Sequence, residues 1–243
     1  MPAREKPRLT GSEARHALRV LRLQPGDSLT LTDAQGHEWQ AVITETSTDE
    51  AGLQIIREST PLEEPRLELT LGLAMIKADR FDLVVQKGTE LGLKILVPLS
   101  SSHSVVNTRS AQSGKKLARW KEIARQSLKQ CGRAFPVDVK PVMNVGNFIA
   151  SASGADLKIM LHQEDLNGGG MTWRELADKY QNPGSICAMV GPEGGFAPSE
   201  AAEAREAGFE VLGLGPRTMR SETAALALCS ILGFLWGDLS NFH

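Results

Sequence analysis

From Leu67 to the C-terminal region, short runs of consecutive apolar residues alternate with stretches in which apolar residues return every three or four positions. The first texture is that of a buried strand and the second that of a helix with one apolar face. The pattern predicts strands at 67–74, 94–99, 137–140, 157–161, 185–190 and 209–213, and helices at 79–91, 113–131, 146–152, 172–180, 198–207 and 221–236. Such alternation implies an α/β fold, a mostly parallel sheet with helices on its faces. Thr172-Trp173-Arg174-Glu175 has the form of a capping box, and Gly208 stands where a helix-terminating glycine belongs. The last helix is apolar nearly all round, so it must be buried on more than one side, in the core or against a second subunit.

Residues 1 to about 60 are patterned differently. A short helix opens at a Thr10-Gly11-Ser12-Glu13 box, and short strands follow at Leu29–Thr32, Glu38–Thr46 and Gly52–Arg57, divided by turns rich in Gly, Pro and Asp. This suggests a small β-barrel. The proline and acidic content of Ser59 to Pro65 reads as a linker, which divides the chain into domains at 1–66 and 67–243.

Two of the predicted strands end in glycine-bearing loops that lead into helices. Ile186 to Val190 breaks into Gly191-Pro192-Glu193-Gly194-Gly195-Phe196, with Pro198 pre-setting the next helix, and Phe209 to Gly213 runs into Leu214-Gly215-Pro216-Arg217-Thr218-Met219-Arg220 with Ser221 as the expected N-cap. Ligands of open α/β sheets collect outside the carboxyl ends of the strands, and glycines let backbone approach them closely. Two such loops on neighbouring strands would make a ligand crevice. A phosphate-cradling loop would carry Lys-Ser/Thr after its glycines; this one carries Glu193 and no basic residue before Arg205. An uncharged or cationic cofactor fits better than a di- or triphosphate, and S-adenosylmethionine is a common one.

Composition agrees with a soluble enzyme. The 243 residues are 41% hydrophobic and 23% charged, enough for one large or two modest cores. The N-terminus lacks an apolar targeting segment and the longest apolar stretch, Leu226 to Trp236, is too short to span a bilayer, so the expected location is cytoplasmic. Three cysteines without paired or metal-type spacing argue against disulfides and against a bound metal.

The net charge of −2 hides an asymmetry: between Arg109 and Arg133, eight cations face the single acid Glu122. The first 24 residues are basic as well, with six cations against Glu5 and Glu13. Clustered cations in an otherwise acidic chain suggest a polyanion track, the alternative being a solvated helix face. The candidate RNA contacts are Arg15, His16, Arg19 and Arg22 in the first segment and Arg119, Arg125, Gln126 and Lys129 in the second.

GPEGGF (191–196) and LGLGPRTMRSETAALAL (212–228) resemble the two cofactor-loop motifs of the SPOUT methyltransferases, specifically the RsmE-type 16S ribosomal RNA uridine N3-methyltransferases. IKADRFDLVVQKGTELGL (76–93), RWKEIARQSLKQCGR (119–133) and RHALRVLRLQPGD (15–27) are similar too, so the resemblance covers nearly the whole chain. The family usually carries a longer aliphatic where Pro216 and Thr218 stand. The resemblance implies a PUA-like RNA-binding first domain, a SPOUT second domain with a C-terminal trefoil knot, a homodimer whose active site is completed across the interface, and 16S RNA or the small ribosomal subunit as substrate. It implies S-adenosylmethionine as cofactor, held by Gly191, Pro192, Glu193, Gly194 and Gly195 on one loop and by Leu212, Leu214, Gly215 and Met219 on the other. Leu161 and His162 end a strand before the polar segment 163–171, which could form a third wall.

Methyl transfer to uridine N3 needs the proton at N3 to leave, spreading negative charge over N3, O2 and O4, and an arginine beside that charge favours the deprotonated base. Arg220, at a helix start beside the second loop, is the first candidate; Arg133 is the second. The alternatives are an ion-pairing role for Arg220, a C5-pyrimidine methylation using Cys131 as a nucleophile between Lys129 and Arg133, and a non-catalytic RNA-binding assembly factor whose glycine loops are only turns.

Overall fold

The computed structural model describes residues 7–33, 37–59, 64–104, 114–162 and 171–240. The chain divides into two compact units, one of residues 1–63 with the short segment 132–135, the other of residues 64–131 and 136–243.

The first unit is a four-stranded antiparallel sheet in the order β1-β4-β3-β2, from β1 (Arg8–Thr10), β2 (Ser28–Thr32), β3 (Glu38–Thr46) and β4 (Glu50–Ser59). The last three lie on the predicted strands; β1 is too short to show a period. Register shifts at Gln40/Ala41 and Ile43/Glu45 bend β3 against β4. Ile43, Ala51 and Leu53 form a small core, with Leu9, Leu18, Leu23, Leu29 and Leu31 packed around it. Helix α1 (Gly11–Arg15) forms, but the predicted box does not: Thr10 is the N-cap and makes no side-chain cap bond. The chain continues as a single π-helical turn, His16–Val20.

The second unit holds a seven-stranded parallel sheet in the order β11-β9-β10-β5-β6-β7, with β8 also beside β6. Its strands are β5 (Glu68–Ala74), β6 (Ile95–Ser100), β7 (Asp138–Val139), β8 (Met143–Asn144), β9 (Leu157–Leu161), β10 (Ser185–Val190) and β11 (Glu210–Leu212). The helices are α2 (Ala78–Glu90), α3 (Gly114–Cys131), α4 (Val145–Ser151), α5 (Trp173–Lys179), α6 (Pro198–Glu206) and α7 (Ser221–Trp236). Both faces of the sheet are covered, which is why its strands read as unbroken apolar runs. Ile186, Ala188 and Val190 of β10 face one core with Phe81, Trp120, Leu176 and Leu228, whereas Cys187 and Met189 face a second with Phe148, Ile149, Ala201 and Ala204. Gly72 makes room for the second: a Cβ there would lie 2.7 Å from the Phe148 ring.

The Thr172 box is present, with the Thr172 hydroxyl accepting from the Glu175 amide at 3.2 Å and the Glu175 carboxylate accepting from the Thr172 amide at 2.8 Å. Gly208 ends α6 with φ +82° and Pro198 opens it. At α7 the structure corrects the sequence reading: Arg220, not Ser221, is the N-cap residue, and no side chain caps that end. Helix α7 buries Ala225, Leu228, Cys229 and Leu232, while Phe234 is 58% exposed. Among the described residues no helix is long and apolar enough to cross a membrane, and no group of His, Cys, Asp or Glu could hold a metal ion.

Candidate functional site

The two glycine loops do meet, though not as loops of neighbouring strands: β9 lies between β10 and β11. The chain leaves β10 toward one face of the sheet, into α6, and leaves β9 and β11 toward the other, into α5 and α7. That divergence opens a crevice at the carboxyl ends of three strands. The intervening β9 is the reason Leu161 and His162 join the wall. Gly191, Pro192, Glu193 and Gly195 line one side; Leu212, Leu214, Gly215 and Met219 line the other. The segment 163–170, expected as a third wall, lies outside the described residues.

Gly194 alone among the expected cofactor-loop residues does not line the pocket. Its missing side chain faces His103, whose Cβ would lie 3.3 Å from a Cβ at 194, and His103 Nδ1 is 3.2 Å from the Gly194 carbonyl oxygen. Gly191 is needed for another reason, since a Cβ there would approach the backbone of Phe196 at 3.2 Å. The turn is closed by the Gly195 amide donating to the Pro192 carbonyl at 2.9 Å, with Gly195 at φ +70°.

Two further ties fix this first loop. The Glu200 carboxylate accepts from the amides of Ala197 (2.8 Å) and Ser102 (2.9 Å), joining the start of α6 to the segment after β6. Arg80, in the first turn of α2, donates to Glu193 at 2.8 Å and lies 3.5 Å from Glu222 in the first turn of α7. One guanidinium thus faces two carboxylates at the pocket rim. The second oxygen of Glu222 is buried without a hydrogen-bond partner among the described residues. Two carboxylates against one guanidinium leave that cluster negative, which suits a cationic group there better than a phosphate, and Arg217, which also lines the pocket, is exposed. Sequence reasoning passed over Arg80, although a cation in the first turn of a helix, opposed to the helix dipole, is a usable signal.

The second loop has ties of its own. The Trp173 indole N–H donates to the Gly213 carbonyl at 2.9 Å, and the His162 amide donates to the Leu212 carbonyl at 3.0 Å. Gly215 turns at φ +89° with no heavy atom within 4 Å of a would-be Cβ. Arg217, Thr218, Ser221 and Ala224, unassigned from sequence, also line the pocket. Arg220 is exposed between the lining residues Met219 and Ser221, outside the wall itself. Arg133 falls in the segment 132–135, which belongs to the first unit.

The expected RNA contacts lie on both units. On α3, Arg119 donates to Asp82 at 2.7 and 3.1 Å. Arg125 and Gln126 both donate to Glu122, at 2.8 and 2.6 Å. The Lys129 side chain lies outside the described residues. In the first unit Arg15, Arg19 and Arg22 are exposed and His16 is half-buried; Arg19 pairs with Asp49 at 3.4 Å. Burial pushes the thiols of Cys187 and Cys229 up to about 12, so both stay protonated at neutral pH and act as core residues. Cys131 is half-buried.

Comparison with known proteins reaches the same place independently. The family of RNA methyltransferase domains matches residues 63–233, and that of RNA methyltransferase PUA domains matches residues 9–56. Ribosomal RNA small subunit methyltransferase E of Mycobacterium bovis is 30% identical over 93% of this chain and 85% of its own length, and that of Bacillus subtilis 27% identical over 93% and 89%. Among solved structures, a Legionella pneumophila methyltransferase in complex with the bound cofactor SAM has a TM-score of 0.85 at 30% identity, covering 98% of this chain and 97% of its own. The Neisseria gonorrhoeae ribosomal RNA small subunit methyltransferase E bound to S-adenosyl methionine scores 0.82 at 32% identity, covering 97% and 94%. With a small antiparallel sheet followed along the chain by a parallel sheet that ends in two glycine loops, and with matches along nearly its full length, the chain belongs to the RNA methyltransferases of the ribosomal RNA small subunit methyltransferase E family.

Proposed function

We propose that this protein transfers the methyl group of S-adenosylmethionine to N3 of a uridine in 16S ribosomal RNA. The observation that carries the cofactor is the crevice at the ends of β9, β10 and β11, lined by glycine backbone and by Glu193, with the acid-rich Arg80–Glu193–Glu222 cluster at its rim. A sulfonium suits that charge. The relatives solved with this cofactor bound support the reading.

In this reading Leu161, His162, Gly191, Pro192, Glu193, Gly195, Leu212, Leu214, Gly215 and Met219 hold the cofactor, and Gly194 serves by letting His103 close on the loop. Methyl transfer is an in-line displacement, so the site mainly has to hold the attacking nitrogen roughly 3 to 3.5 Å from the methyl carbon. Arg220, at the start of α7 and next to the lining residues, is the group assigned to the developing negative charge on the uracil; Arg133 is the second candidate for that role. Arg15, His16, Arg19, Arg22, Arg119, Arg125, Gln126 and Lys129 are assigned to the RNA; the pairs with Asp49, Asp82 and Glu122 would have to be exchanged for phosphate.

The reading includes the two domains at 1–66 and 67–243, the trefoil knot, and a homodimer. A dimer is supported by the apolar groove that Trp173, Ala177, Ile231, Phe234 and Leu235 form beside α7. Calorimetric titration with S-adenosylmethionine, followed by mass mapping of ribosomal RNA from cells lacking the protein, tests the whole. One missing methyl on a uridine, restored by the wild type and by Cys131→Ala, is the expected result; no cofactor binding, or a methyl missing at C5, would sink it.

A further inference from the structure

Two large apolar residues stand in the open in the most basic part of the first unit. Val20 is 66% exposed and Leu21 57% exposed, at the end of the π-helical turn. Singly exposed aliphatics are ordinary, but an adjacent pair with the exposed Arg15, Arg19 and Arg22 beside it in the sequence is not. The backbone explains how they come to project. Leu18 and Leu23 on either side pack against the small core, and the chain returns to it through the Leu21 amide donating to the His16 carbonyl and the Leu23 amide donating to the Ala17 carbonyl, both at 3.0 Å. The reversal needs one left-handed residue, and that residue is Arg22, at φ 56°, the one non-glycine residue with a positive φ among the described residues. Glycine or asparagine adopts that conformation at less cost. An arginine there puts a charge at the tip where a better turn-former would put none, and neither Arg15 nor Arg22 has a carboxylate partner among the described residues.

We propose that residues 20–22 form a wedge that seats Val20 and Leu21 against unpaired bases of RNA while Arg15, Arg19 and Arg22 hold the flanking phosphates. The inference rests on the RNA reading above and adds to it a preference for unpaired over duplex RNA. Charge complementarity selects a polyanion as the occupant. The apolar tip selects one whose bases are accessible: single-stranded loops splay their bases out, whereas the deep, narrow major groove of an A-form duplex hides them. Aliphatic wedges against base steps are a known mode of nucleic-acid contact.

Binding to an RNA stem-loop and to a fully paired duplex of equal strand length, measured across a salt series, tests the proposal. Val20→Ser with Leu21→Ser is expected to weaken stem-loop binding at least roughly tenfold, the loss of a single buried aliphatic, and more where both are buried. Duplex binding and the salt slope should be unchanged, because no phosphate contact is lost. Ile56→Ser, equally exposed at 57% on β4, is the control and should change nothing. Leu21→Lys gives the sharper result, since an added cation tightens binding to a purely electrostatic surface and weakens binding to a wedge. Tighter or unchanged stem-loop binding, equal loss on the duplex, or an equal effect of Ile56→Ser would each overturn the wedge while leaving the RNA reading intact. Wild-type RNA affinity combined with weaker binding to assembled small subunits would assign the tip to a ribosomal protein and overturn it as well. Failure of the wild-type protein to bind either RNA would remove both readings.

Discussion

The two loops of the pocket are built on opposite plans. The one after β10 is tied from outside at three points, by His103 on the Gly194 carbonyl, by Ser102 and Ala197 on Glu200, and by Arg80 on Glu193. The one after β11 has the Trp173 indole on Gly213 and a ladder bond from His162, and then runs exposed from Gly215 through Thr218. A braced wall sets where the ligand sits. An exposed one ending in Arg220 has room to adjust as a substrate arrives, and recognition loops are drawn from such exposed segments. The lesson is that glycine content alone does not make two loops equivalent; what packs behind each decides its job.

The largest effect should come from the exposed side. Arg220→Ala is expected to slow single-turnover methyl transfer on the order of a hundredfold with little change in RNA affinity; an unimpaired rate would reduce the second loop to a wall. Next comes the brace. Arg80→Ala leaves Glu222 buried without a cation and should lower unfolding stability by about 2 kcal/mol and weaken S-adenosylmethionine binding, both read in one calorimetric series. If stability falls while affinity holds, the brace serves the fold alone.

A matched pair sharpens the contrast further. Gly195→Ala and Gly215→Ala each place a Cβ where no neighbour lies within 4 Å, at φ +70° and +89°, so the cost is backbone strain of about 1 kcal/mol in both. In the braced loop the strain cannot relax and should appear as a lower Tm; in the other it relaxes by movement and should appear as weaker cofactor binding at unchanged Tm. Equal effects would erase the distinction. The smallest expected effect is one of pH. Hydrogen bonds from the Thr172 backbone and side chain lower the Glu175 carboxyl below its ordinary 4.5. A depressed carboxyl stabilises above its unfolded value and loses that contribution as pH falls through its folded one. The Tm advantage of wild type over Glu175→Gln should therefore be full near neutrality and vanish in strong acid; a pH-independent difference would show that the charge is irrelevant to the cap.

Much of this was legible in the chain because burial on both faces writes a parallel strand as an unbroken apolar run; β9 and β10 stand at the predicted residues and α2 to α7 within a residue or so of theirs. Shorter pieces were not, since three residues of β1 or two of β8 cannot display a period. The Thr172 and Thr10 boxes share one pattern and both threonines are extended, yet only the first box is made: the residue after Thr10 is Gly11 at φ +61°, outside the right-handed helical region. The pocket walls could be named from their glycines, whereas Arg80 and His103 reach the loop from elements 113 and 91 residues away. Strand order was equally hidden: nothing local to β10 or β11 says that β9 separates them.

The Trp173 indole gives the exposed loop an optical voice. Its N–H is committed to the Gly213 carbonyl at the pocket wall, and the emission of an indole follows the polarity and hydrogen bonding around it. The other tryptophans are Trp39 in the small sheet, Trp120 in the core and Trp236 at the end of α7. A difference spectrum between wild type and Trp173→Phe therefore isolates a native fluorophore bonded to that wall, and its stopped-flow trace would time a rearrangement of the loop on ligand binding without any label.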